Sequence, residues 1–326
     1  MNSRFMYHSA GSHGENISLS VFYVIVFFFS VPANAMALWV FCHPKNKTSV
    51  PRVFLTHLAV ADMCYVLLLP MRVIYHASDG DWILGEVACS LSGFLFYLNL
   101  YCSLYFTTCI SFDRFLAVVL PVRALSWRKP AYAKAGCAVI WVVVTVCMAP
   151  VLLSKQTVNL QLEEERNVTV CQQLYLQKTS PRALLSTAVA FSIPLLVLSL
   201  SYILILIKLK TVTQQTQSRV HLKARRMVVL TLANFLVAFL PFHIHRFIYI
   251  VRYSQPNVSD MEATSLSIGN RVTSALTCVN AVIDPLMYFF LADTYQRTLL
   301  RLLGRPESAQ PESGQISNPV DMSSAF

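Results

Sequence analysis

Charge is what this chain has least of. Asp, Glu, Lys and Arg make up 13% of its 326 residues, hydrophobic side chains 55%, and the mean hydropathy is +0.53. A soluble domain carries about 25% charged residues, so much of this surface has to face lipid and a water-soluble enzyme or binding module is excluded. Only 9 glycines are present, which excludes collagen-like and low-complexity classes. No internal repeat is visible, which weakens an inverted-repeat transporter. Residues 1–18 are polar and no clear cleavage site follows, so the first apolar run is expected to act as its own signal anchor. The histidines (His57, His76, His243 and His245 among them) do not match a zinc spacing, and His243 and His245 point to different helix faces. No acid lies between Cys89 and Phe112 to meet a cationic amine, and the last apolar stretch has no lysine for a retinal Schiff base.

What the chain has is seven long apolar stretches, expected as helices over 17–41, 53–76, 86–119, 131–153, 183–209, 227–251 and 265–291. Helix follows because an open sheet edge cannot sit in lipid. From Cys89 to Arg114, with no charge before Asp113, 25 helical steps cover roughly 37 Å, a bilayer with its interfaces. Of the 26 Lys and Arg, 17 fall on one set of connections, while Asp79, Asp81, Glu86, Glu163 to Glu165, Asp260 and Glu262 fall on the other. That is the positive-inside bias, and it places the N-terminus outside. The net charge of +10 therefore needs no nucleic-acid polymer as partner. The fold class is an all-α membrane protein, a seven-helix transmembrane bundle. Its expected layout is an outer N-terminus at 1–16, the bundle at 17–291, an amphipathic interfacial helix at 292–304 and a disordered tail at 305–326.

Prolines fall inside the stretches, and Pro241 and Pro285, crowded by polar residues, are read as hinges. Of nine cysteines, only Cys89 and Cys171 lie in outer segments, and such a pair in an oxidising compartment is expected as a disulfide over the third helix. Asn16, Asn167 and Asn257 open glycosylation sequons on the outer side, whereas the sequon at Asn46 lies inside.

Three arginines project from outer ends: Arg72, Arg246 and Arg271. Arginine within a span usually faces a wet cavity or a partner. Snorkelling, or pairing with Glu86, Asp260 or Glu262, remains open. Guanidinium groups in a cavity suit phosphate or carboxylate. His243 shares a helix face with Arg246, and Tyr97 with Tyr101 offers aromatic surface or simple packing. The expected ligand is thus an extracellular anion. Asp62 and Asp284 are the sole acids within their span interiors, and carboxyls so placed are expected paired, protonated or ion-bound. At the inner end Asp113 can pair with Arg114. A transporter and a seven-span membrane hydrolase are the alternatives, and the carboxy-terminal Ser324-Ala325-Phe326 matches endings that PDZ domains take.

Motifs in order then carry a resemblance. Asn34, Leu58-Ala59-Val60-Ala61-Asp62, Cys89, Asp113-Arg114-Phe115, Trp141, Pro194 with Tyr202, Phe239-Leu240-Pro241-Phe242-His243 and Asp284-Pro285-Leu286-Met287-Tyr288 resemble the rhodopsin-like (class A) G-protein-coupled receptors. Phe96 to Tyr101, His243-Ile244-His245-Arg246 and the Asp284-Pro285 form resemble the purinergic nucleotide and cysteinyl-leukotriene branch. The resemblance implies a plasma-membrane receptor, not an enzyme, with a heterotrimeric G protein (inhibitory type as first choice), arrestin and receptor kinases as partners. It implies a sodium ion or water cluster around Asp62, Ser103, Asn280 and Asp284, with no other cofactor. It also implies that Arg114, Tyr202 and Tyr288 rearrange when the sixth span swings at Pro241. Departures are Phe115 for the usual Tyr, Phe239 for Trp, no cysteine in the amphipathic segment and no N-terminal cysteine.

Overall fold

Apolar windows in a chain with few helix breakers fold as helices, and packing does the rest. The computed structural model describes residues 11–43, 48–161, 167–172, 179, 181–213, 219–253, 255–302 and 304. Among the described residues seven helices are long and apolar enough to cross a membrane: His13–Cys42, Val50–Ala77, Gly85–Val119, Pro130–Leu153, Arg182–Lys210, Val228–Tyr253 and Asp260–Leu291. These are the first to seventh spans below. The amphipathic segment forms a helix at Asp293–Leu302. The tail with its PDZ-like ending lies outside the described residues.

The third span is the axis of the bundle, packed against the second, fourth and fifth, with two-thirds of its most apolar window buried. The fourth is the reverse, with 11% of that window buried. Val139, Val142, Val143 and Val146 are exposed along it, a face that suits lipid.

Two expectations shift at the helix starts. The first span begins at His13 because Ser12 caps it, its hydroxyl accepting from the Glu15 amide at 3.3 Å. Asn16 therefore sits inside the helix, fully buried, with its Oδ1 2.7 Å from His76 Nδ1. The expected glycan at Asn16 is a correction: an asparagine closed off from solvent and bonded between two spans has no room for a sugar. Asn257 is exposed in the connection before the seventh span, and Asn167 opens a strand.

Prolines bend the spans where their missing amides fall. The second span breaks at Leu67 and Leu68, just before Pro70. Pro285 cannot donate to the Ala281 carbonyl, and Asn34 Nδ2 of the first span donates there instead, at 2.9 Å. Before Pro241 the sixth span widens into a π turn, Phe235–Phe239, closed by the Leu240 amide on the Phe235 carbonyl.

The Cys89–Cys171 disulfide is formed, with Cα atoms 5.6 Å apart. It pins a two-stranded antiparallel hairpin, β1 (Thr157–Gln161) and β2 (Asn167–Cys171), across the third span. Acidic groups fasten the hairpin further. Asp81 accepts from the Thr169 amide at 2.9 Å, and the Glu86 carboxylate accepts from the amides of Gln156 and Thr157. Hairpin backbone donors are thereby satisfied without a wider sheet.

Candidate functional site

Polar side chains gather in three places within the bundle: at the disulfide end, midway, and at the Asp113–Arg114 end. At the disulfide end Arg72, Arg246 and Arg271 are 1%, 4% and 2% exposed. Arginine is almost never so buried unless paired, and each is held differently. Arg271 makes a two-pronged contact with Glu15 of the first span, Nε to Oε1 at 2.6 Å and Nη2 to Oε2 at 2.8 Å. Arg72 donates to the Tyr23 hydroxyl at 3.2 Å, with its guanidinium carbon 5.0 Å from the Phe96 ring centroid and 5.6 Å from those of Tyr23 and Tyr65. Arg246 donates to Tyr97 and lies 5.5 Å from the Tyr249 ring centroid. Two of the pairings left open by sequence resolve elsewhere: Glu262 meets Arg252, and Glu86 holds the hairpin.

The three guanidinium groups gather at the same end of the bundle, the charge of Arg271 being met by Glu15. Tyr249 lies in the field of both Arg246 and Arg271, and His76 in that of both Arg72 and Arg271. His243 is 3% exposed, one turn before Arg246, and its ring stacks on Phe191 at 4.1 Å. Its Nδ1 lies 2.8 Å from the Phe239 carbonyl. A carbonyl only accepts, so Nδ1 carries the hydrogen. The buried Nε2 has no hydrogen-bond partner among the described residues. Tyr97 and Tyr101 stack in nearly parallel planes with centroids 6.2 Å apart, and Tyr101 meets the edge of His243 at 6.1 Å. Tyr97, Tyr101, His243 and Arg246 are thus one cluster. Arg72 sits behind it in an aromatic cage, and Arg271 is engaged by Glu15, which sequence reasoning missed. The signal was there: Ser12-His13-Gly14-Glu15 is a capping-box pattern that puts an acid on the first helical turn.

Midway, Asp62, Ser103, Asn280 and Asp284 do meet, all fully buried or nearly so. Asn280 Nδ2 bridges the two carboxyls, 3.0 Å from Asp284 and 3.5 Å from Asp62, and Ser103 donates to Asp62 at 3.4 Å. Two asparagines complete the group. Asn99 donates to Asp62 at 2.9 Å, and Asn234 donates to Asn280 at 2.6 Å and Asp284 at 3.1 Å. Each is an amide side chain within a transmembrane span, a signal readable in the sequence. Tyr288 joins from below, its one hydroxyl hydrogen within reach of both Asn34 Oδ1 at 3.3 Å and Asp62 Oδ2 at 3.5 Å. Among the described residues no group of three or more His, Cys, Asp and Glu is placed to hold a metal. The oxygens of Asp62, Ser103 and Asp284 are hard donors, the kind a small monovalent cation takes.

At the third cluster Asp113 serves two arginines. Arg114 reaches it at 3.1 Å, and Arg128 grips both its oxygens at 2.7 and 3.1 Å. Arg128, absent from the sequence-based set, arrives because the short helix Pro121–Trp127 turns the chain back beneath the third span. Tyr202 bonds Ser111 and Tyr288 bonds the midway cluster, so neither touches Arg114 in this arrangement. The acid holds the arginine in place, and a partner reaching Arg114 has to break that contact.

Known proteins resemble this chain over most of its length. Residues 33–288 match the 7 transmembrane receptor (rhodopsin family) profile. The uracil nucleotide/cysteinyl leukotriene receptor of Rattus norvegicus is 44% identical over 311 residues, spanning 93% of this chain and 89% of that protein. Its Homo sapiens counterpart is 43% identical over 309 residues, spanning 93% and 83%. A Homo sapiens purinoceptor is 34% identical over 323 residues, spanning 94% and 85%. With seven spans, a hairpin stapled to the third, and an acid-held arginine where that span ends, the chain belongs to the rhodopsin family of seven-transmembrane receptors: it is a multi-pass plasma-membrane receptor, not an enzyme, that answers a small molecule through a G protein.

Proposed function

We propose that the receptor is oriented with its N-terminus and disulfide hairpin outside the cell, and that its agonist is an extracellular anion bound by Arg246 and His243 against Tyr97 and Tyr101. The observation that carries this is a guanidinium 4% exposed beside an imidazole Nε2 that has no hydrogen-bond partner among the described residues. A buried polar atom left unbonded costs about 1–3 kcal/mol; with the hydrogen on Nδ1, Nε2 is an acceptor, so a hydroxyl of the ligand would donate to it while Arg246 takes the anionic oxygens. Arg246 supplies a fork for phosphate or carboxylate, and the tyrosine stack supplies a flat face for a base or a lipid chain. The uracil nucleotide and cysteinyl leukotriene for which the relatives are named are both anions joined to a less polar body. Arg72 and Arg271 reinforce the positive field, and a ligand with several charges would draw on Arg271.

Agonist concentration–response curves for Arg246→Ala test the reading. Loss of a charge-assisted hydrogen bond costs about 1.5–3 kcal/mol, or about 10- to 150-fold in potency, and Arg246→Lys should recover only part of it. An unchanged curve with normal surface expression sinks the anion site.

The resemblance adds partners that the same assays reach. An inhibitory-type heterotrimer is our first choice for coupling, followed by arrestin and receptor kinases once the receptor is active. We place a sodium ion or water cluster at Asp62, Ser103, Asn280 and Asp284; sodium should lower agonist affinity in the wild type and have no effect in Asp62→Asn. We assign the tail ending Ser324-Ala325-Phe326 to PDZ-type strand addition, to be tested by capture with tails that keep or lack Phe326.

A further inference from the structure

His245 lies between His243 and Arg246 in the sixth span, yet it turns away from both, toward the seventh. Its Nε2 is 2.9 Å from the Leu266 carbonyl. A carbonyl only accepts, so Nε2 carries the hydrogen and donates across the two spans. Beside that carbonyl the ring sits over Gly269. A Cβ built on this glycine would run into His245 Cε1, with Nδ1 and Nε2 only 3.0 and 3.1 Å away. Glycine inside a helix is destabilising relative to alanine, and here it opens a notch for an imidazole. The same ring meets Tyr249, centroids 6.5 Å apart, and the Arg246 guanidinium approaches that Tyr249 ring from its own side at 5.5 Å. Two residues beyond the notch comes Arg271.

Neighbouring side chains on a helix keep a fixed angle between them. Holding the His245 ring in its seat therefore fixes where the next side chain, Arg246, points. It also fixes how far the helix that carries Arg246 stands from the one that carries Arg271. We propose that His245 is a positioning residue of the anion site, keyed into Gly269 and bonded to Leu266 so that Arg246 is aimed at the ligand and kept at a set spacing from Arg271, an inference that rests on Arg246 as the anchor of the anion. His245 does not touch the ligand and acts through its neighbour. A ligand with one charged group depends on the aim of Arg246 alone, and one with several depends on the spacing as well.

The test compares full-length wild type, Gly269→Ala, His245→Ala and their double variant in two measurements. Thermal unfolding without ligand reads the key itself. Gly269→Ala should lower the midpoint by about 2–4 °C where the ring is present, and by much less in the His245→Ala background, since the ring is what the added carbon meets. Nucleotide exchange driven by uridine diphosphate, a probe with two phosphates and a flat base, reads the aim at matched surface expression. Gly269→Ala should lower its potency by about 10-fold and cost nothing further in the Arg246→Ala background, where no guanidinium is left to aim. His245→Gln, whose amide can donate as Nε2 does, should keep more potency than His245→Ala. Equal midpoint shifts with and without His245 overturn the key. Unchanged potency in Gly269→Ala, or an equal loss with and without Arg246, overturns the positioning role. If Arg246→Ala alone leaves the curve unchanged, the anion site falls and the positioning role with it, so that variant tells the two failures apart.

Discussion

Neutralising Glu15 separates an arginine that binds ligand from one that only fastens the first span to the seventh. Glu15→Gln keeps the length of the side chain and removes the charge from a two-pronged contact whose oxygens lie 2.6 and 2.8 Å from the Arg271 guanidinium. The Arg271 side chain is 2% exposed and that of Glu15 is 16% exposed, so bulk water cannot readily replace the lost partner. Glutamine retains one acceptor, so one charge-assisted bond disappears, worth about 1.5–3 kcal/mol. Thermal unfolding of the ligand-free receptor, measured for wild type, Glu15→Gln, Arg271→Gln and the double variant, isolates that quantity. The coupling should fall in the same range of about 1.5–3 kcal/mol. Additivity to within about 0.5 kcal/mol would refute the ion pair. In agonist binding the sign reverses. An anion that needs Arg271 has to displace the Glu15 carboxylate, so Glu15→Gln should raise potency by up to about 10- to 150-fold. An agonist confined to Arg246 would keep its potency while stability falls.

Arg114→Ala should leave agonist binding nearly intact and abolish nucleotide exchange on the G protein, because Arg114 lies beside Asp113 at the end opposite the arginine cluster; undiminished exchange counts against its role. Asn257→Gln should remove one glycan from the receptor on a gel, whereas Asn16→Gln, at a fully buried position bonded to His76, should leave the glycan count unchanged.

The spans were legible because lipid dictates both length and composition, and the sequence could satisfy that demand in only one way. Their starts were less so. Ser12 and Glu15 form a local signal for a helix beginning at His13, yet a sequon at Asn16 gives the opposite hint, and only burial decides between them. The Cys89–Cys171 bond followed from their being the two cysteines in outer segments, whereas the meeting of Asp62, Ser103, Asn280 and Asp284 was legible only through the family resemblance, since two carboxyls in separate spans could equally have been bonded apart. Arg128 was hidden for a different reason. It sits in a basic connection where any lysine or arginine reads as a membrane flank, and its place on Asp113, 15 residues back, exists only once the intervening chain has turned. Arg271 with Glu15 is the extreme case, joining residues 256 apart.

The wide turn at Phe235–Phe239 gives the sixth span a measure of slack. In a regular helix each residue adds about 100° of rotation. Asn234 at the midway cluster and His243 and Arg246 beyond it would then have their compass bearings locked together by residue count alone. A π turn takes up one residue locally and passes the next stretch on with its bearing reset. The two halves of this span can therefore be tuned as separate pieces: the face that reads the arginine cluster and the face that meets Asp284 need not agree on a common pitch. A one-residue deletion within the wide turn would relax it to an ordinary one and keep both faces aimed inward, whereas the same deletion in the regular helix after Pro241 would swing Arg246 out toward the lipid.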